Sequence, residues 1–208
     1  MFGLGAIRSA VSPVLTGALF ALLITPAHAN MDLALGACLD RTVGLDERAE
    51  IFLANDWSQE RDPTFAYDVY FSAAFLATAS ALDFSTWDAS RAQAESFAQN
   101  THGAIADGVS TLLVAPEEES AIVLGRNAVG LQTCMYVGAD QDLGPVAEIL
   151  DGSFLRTIGP VTRIRGDGPR SSIVAHLIED GGASVTDMPV AYSSSFTIVL
   201  DRQVGDVR

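Results

Sequence analysis

The chain has 208 residues, with 12 basic against 26 acidic side chains, a formal charge of −14 and a pI near 4.3. An apolar fraction of 49% excludes wholesale disorder, and the acidity argues against nucleic acid or an anionic membrane surface as partner, since both need a basic field. All twelve basic residues are arginine, which removes Schiff-base chemistry, a P-loop lysine and a Ser–Lys dyad.

Residues 1–29 read as a secretory signal. Arg8 is their only charge, an apolar run from Val11 to Ile24 follows, and Ala27-His28-Ala29 is a small-x-small cleavage site with Pro26 just before it. The run is short for a membrane span and its flank is polar and acidic. Cleavage leaves a mature chain from Asn30, expected to be periplasmic or secreted, with no membrane insertion. Length bounds residues 30–208 to a single domain. Export gives Cys38 and Cys134, the only two cysteines, a meaning: an oxidising compartment favours a bridge from an N-terminal helix to a later strand.

Residues 31–107 carry helical spacing. Met31, Leu33, Leu35, Cys38 and Leu39 mark a first short helix, and Gly44 breaks it. A second runs from Asp46 to Asn55, with Trp57 packing just after it. Pro63 opens a third, to about Leu82, whose apolar residues wrap most of its circumference and so mark a central helix. Ser85-Thr86-Trp87-Asp88 is a capping-box pattern, with Asp in place of Glu or Gln, that starts a fourth helix ending near Gly108.

From Gly108 the pattern becomes β. Ser110–Ala115 and Ser120–Gly125 predict a hairpin around Pro116-Glu117-Glu118-Glu119, and Leu131–Gly138 predicts a strand carrying Cys134. A polar connection over 139–152 holds one helical turn at Pro145–Leu150. Val161–Arg165 and Ser171–Ile178 flank a turn at Gly166-Asp167-Gly168-Pro169. Ser195–Leu200 is the last strand, before a frayed tail. Helices first and strands after predict an α+β domain, with the helices packed on one face of a mostly antiparallel sheet of about five to six strands.

Arg156, Arg163, Arg165 and Arg170 form a basic island in which Asp167 is the one acid. Arg163 and Arg165 lie two apart on a predicted strand and share a face. Two adjacent guanidiniums grip a carboxylate or phosphate bidentately, so the island is a small-anion candidate. The alternative is pairing with the chain's own abundant acids. Glu117, Glu118 and Glu119 are a candidate docking tip for a basic protein partner; the plainer reading is a solvated turn that discourages edge pairing. Asp140, Asp142, Glu148 and Asp151 imitate a calcium loop poorly, because Gly144 and Pro145 stand where an oxygen donor and the turn glycine belong. No metal site and no cofactor are expected.

The mature histidines are His102 and His176. A hydrolase needs one of them beside a nucleophile and a carboxylate, and no serine lies in a Gly-x-Ser-x-Gly elbow. Phe65, Tyr67, Tyr70, Phe71 and Phe75 crowd one helix, as core or, if exposed with Trp57, as a partner surface. The leading expectation is an exported non-catalytic accessory or binding protein. A His–carboxylate enzyme and an anion-binding domain are the alternatives.

Overall fold

Pro26 opens the first helix, α1 (Pro26–Leu39), at the position where a missing N–H costs nothing. The computed structural model describes residues 26–79, 87–139, 143–150, 154–158, 161–168, 171–178 and 191–200. The apolar run before Pro26, the capping residues Ser85 and Thr86, Asp140, Asp142, Asp151, Arg170 and the tail after Leu200 lie outside them. The expected cleavage site falls in the first turn of α1, and the buried Met31, Ala34, Leu35 and Cys38 all follow it.

Helix α2 (Leu45–Leu53) starts where the Glu47 carboxylate accepts a hydrogen bond from the Gly44 N–H at 2.9 Å. Trp57 follows it and packs on Phe52, ring centroids 4.9 Å apart. In α3 (Pro63–Ala79), Asp62 Oδ1 caps by accepting from the Thr64 N–H at 2.8 Å. The expected fourth helix is split into α4 (Trp87–Thr101) and a single turn, α5 (Gly103–Ala106). Gly108, at φ +69°, then turns the chain into the sheet, a conformation that favours glycine. Helix α6 (Gly144–Ile149) is the helical turn expected in the polar connection.

The strands are β1 (Ser58–Glu60), β2 (Thr111–Val114), β3 (Ser120–Arg126), β4 (Gln132–Gly138), β5 (Phe154–Ile158), β6 (Val161–Gly168), β7 (Ser171–Ile178) and β8 (Ser194–Leu200). They form one antiparallel sheet in the order β1-β2-β3-β4-β8-β7-β6-β5. Two meanders therefore meet at a β4–β8 seam. The α+β class holds, but the described sheet has eight strands rather than five or six. The two unforeseen strands are its edges. Ser58–Glu60 is too short to show alternation, and Phe154–Ile158 is split by Arg156. Strand β6 also runs through Gly166-Asp167-Gly168, so three of the four residues expected to turn belong to the strand, and the fourth, Pro169, lies outside the described residues.

The helices cover both faces, not one. Leu113, Ile122, Cys134, Tyr136, Phe196 and Ile173 point to one core with α1, α2 and α6, and Tyr136 stacks on Phe196 at 4.8 Å. Their sequence neighbours Leu112, Ala121, Val123 and Val137, together with Val161, point to a second core with α3, α4 and α5. The β-runs are apolar at consecutive positions because both faces are buried, a pattern shared by strands covered on two sides. The crowded aromatics belong to the second core: Tyr70 and Phe71 are buried, and Trp57 lies in the other core, so they form no common outer surface.

The Cys38–Cys134 bridge is present and ties α1 to β4. Beside it lies Arg48, with 0% exposure. Its Nε donates to the Ala37 carbonyl at 2.9 Å and its Nη2 to the Asp40 carbonyl at 2.6 Å, while Nη1 lies 3.9 Å from Cys134 Sγ. The guanidinium thus satisfies backbone acceptors left open where α1 ends. Burial lowers its pKa from the usual value, with the Asp40 carboxylate opposing. Among the described residues, no helix is long and apolar enough to cross a membrane.

Candidate functional site

On the α3 side of the sheet one cross-strand row is polar for half its length. In register it runs Arg156 on β5, Arg163 on β6, His176 on β7 and Ser195 on β8, then becomes apolar at Val137. The adjacent row places Arg165 opposite Val174. The structure thus brings Arg163 and Arg165 onto one face, as their spacing predicts, and adds Arg156 opposite Arg163. Arg165 is exposed and Arg163 partly buried. The Nε of Arg163 is out of solvent and has no hydrogen-bond partner among the described residues.

Strand β6 is held in place from the opposite face by the end of α6. A Cβ built at Gly166 would stand 2.8 Å from Leu150 Cδ2, so glycine is what lets Leu150 lie against this strand. Among the residues whose side chains are described, which leaves out Asp167, neither Arg163 nor Arg165 has a carboxylate within ion-pairing distance, although the exposed Arg91 and Glu95 do pair, at 3.1 Å. A chain with 26 acids has many ways to neutralise two arginines, and the described part of the fold uses none of them here.

His176 is 5% exposed, and its Nδ1 lies 3.4 Å from Ser195 Oγ, itself buried. Burial, and after it the charge of Arg163, push the imidazole pKa down to about 3. A triad histidine is stabilised as imidazolium by a carboxylate. Here the charged neighbour has the wrong sign, so the ring is neutral and a poor base near pH 7. The pair was not legible in sequence, because 18 residues separate His176 from Ser195 and only the β7–β8 register joins them. Sequence reading also passed over Ser72, a fully buried residue of α3 whose Oγ has no hydrogen-bond partner among the described residues. It shares a helical stripe with the fully buried Val69 and Leu76. His102 stands apart between α4 and α5, its Nδ1 2.9 Å from the Ala98 carbonyl oxygen.

Glu117, Glu118 and Glu119 occupy the exposed tip of the β2–β3 hairpin, with Glu118 at φ 57°. Burial first, then the charges of Asp68 and Glu118, raise the Tyr192 phenol to about 12. No group of His, Cys, Asp and Glu suited to holding a metal ion occurs among the described residues; Asp140, Asp142 and Asp151 of the calcium-like loop fall outside them. No family model matches this chain, and no curated protein or solved structure matches it.

Proposed function

We propose that this protein is an exported, non-catalytic binding protein that holds a small anion of the carboxylate or phosphate class over β6, with Arg163 and Arg165 as the gripping pair. The observation that carries the reading is two same-face arginines in a strongly acidic chain, with no carboxylate paired to either among the residues whose side chains are described. Guanidiniums left open in this way favour an external oxyanion, which they can bind through paired N–H donors. Export is supported by the signal-like first 29 residues and by the Cys38–Cys134 bridge, which fits a periplasmic or secreted, oxidising setting. The enzyme alternative loses support because His176 faces a guanidinium and a buried serine rather than a carboxylate in an open cleft. Docking of a basic protein on Glu117–Glu119 is a second reading, supported by the exposure of all three at one hairpin tip.

The test is thermal unfolding of the oxidised protein in chloride, acetate, citrate, sulfate and phosphate at fixed ionic strength. A site filled at a hundred times its Kd stabilises by about 2.7 kcal/mol. At about 2–4 °C per kcal/mol for a chain of this size, that is a shift of roughly 5–11 °C. The shift is expected to vanish in Arg163→Gln/Arg165→Gln. Equal shifts in the variant, or none in either protein, would overturn the reading.

A further inference from the structure

The two edges of the sheet are built differently. Strand β1 is three residues long and gives way to Arg61-Asp62-Pro63, with a proline that opens α3. Strand β5 has five residues, Phe154-Leu155-Arg156-Thr157-Ile158, and no proline. It pairs only with β6 among the described residues. Short strands and prolines are devices that keep sheet edges from recruiting other chains; β5 is longer than β1, and its nearest proline, Pro160, follows the strand by two residues as Pro63 follows β1 by three, so length is what sets the two edges apart. Its one charge, Arg156, stands in register with Arg163, and Arg165 lies two positions along the neighbouring strand.

We propose that β5 takes up an extended acidic peptide segment of a protein partner as an additional antiparallel or parallel strand. This rests on the anion-binding reading for its charge and adds the open backbone edge. Backbone pairing supplies affinity in strand addition, and alternate side chains supply selectivity. A segment with acids at every second position sets all of them on one face, matched to the face that Arg163 and Arg165 share. A second copy of this chain is the poorer occupant. Antiparallel self-pairing centred on β5 sets Arg156 against its own copy, and like charges directly opposite destabilise a strand pair. The net charge of −14 adds long-range repulsion between copies.

The experiment uses the full chain, purified after export with its disulfide formed. The probe is a fluorescent peptide with Glu at alternate positions between Thr and Val. Its Gln counterpart and a version N-methylated at alternate amides are the controls. Anisotropy is expected to show binding of the Glu peptide, with loss on N-methylation. Hydrogen exchange is expected to slow at Phe154–Ile158. Arg156→Gln is expected to weaken binding roughly two- to fivefold, the range for a cross-strand ion pair, and Arg163→Gln, one strand further from the added segment, to weaken it less. A Glu peptide that binds as well when N-methylated overturns strand addition. Stabilisation by free acetate or phosphate without peptide binding overturns this inference and leaves the anion reading standing, whereas failure of both removes the two together. Sedimentation that reveals a dimer with the same slowed amides overturns the choice of occupant.

Discussion

Replacing Arg48 with Met tests whether a buried guanidinium holds the first helix to the sheet. The variant keeps an apolar stem and removes the charge. Two short charge-assisted bonds are lost, to the carbonyls of Ala37 and Asp40, at 2.9 and 2.6 Å. Bonds from charged donors contribute about 1.5–3 kcal/mol each, so the gross loss is about 3–6 kcal/mol. Removing the charge also relieves its desolvation, which costs a few kcal/mol for a buried ion. The orphaned carbonyls retain a penalty of about 1–3 kcal/mol apiece. The relief and the carbonyl penalty roughly cancel, so the expected net destabilisation is about 3–6 kcal/mol, a large share of the ~5–15 kcal/mol typical of a domain. Urea unfolding followed by circular dichroism at pH 7 measures it. Arg48→Lys should recover less than half, because an ammonium cannot reproduce the guanidinium fork. A Met variant within 1 kcal/mol of the parent, or more stable than it, would show that the fold tolerates the charge instead of depending on it.

Removing the bridge with Cys38→Ala/Cys134→Ala, which frees a sequence separation of 96 residues, should cost about 4–5 kcal/mol by loop-closure entropy. The same urea titration reads it, and a loss under 1 kcal/mol would refute the estimate. Combined with Arg48→Met, the losses should not add, since Nη1 lies 3.9 Å from Cys134 Sγ. The His176 pKa is lowered from 6.5 to about 3, so the unfolded chain binds the extra proton over that window. The contribution to stability is full above pH 6.5 and lost as pH falls toward 3. Between pH 7 and pH 4 the parent should therefore lose more stability than His176→Gln, and equal losses would place the imidazole in water.

Much of the chain's local structure was legible because each element carries its own signals. Glu117–Glu119 sits at a hairpin tip because β-rich runs flank a proline turn, and Pro63 begins a helix because it follows a capping Asp62. Long-range placement was not. Both β faces are apolar, so alternation could not say which side the helices cover, and the sequence pattern suits one layer of helices or two. Arg163 and Arg165 were found as a pair by spacing. Their neighbour His176 was separately visible, but its place beside Arg163 follows from β6–β7 register. Arg156 concealed β5 because a charge in the middle of a short apolar run reads as connection.

The strand at the centre of the sheet, β8, is the last of the described strands to be synthesised. Until it arrives, β4 and β7 each present an unpaired inner edge, and the two meanders cannot be joined. The residues matched at the seam, such as Cys134 with Ile198, are far apart along the chain, an arrangement associated with slow folding. Cys38 and Cys134 both precede that strand, so oxidation can fasten the first meander to its helix while the second is still emerging. A chain cut short before Ser194 would lose the middle of its sheet rather than its margin. Its two exposed inner edges would make it a substrate for chaperones and proteases.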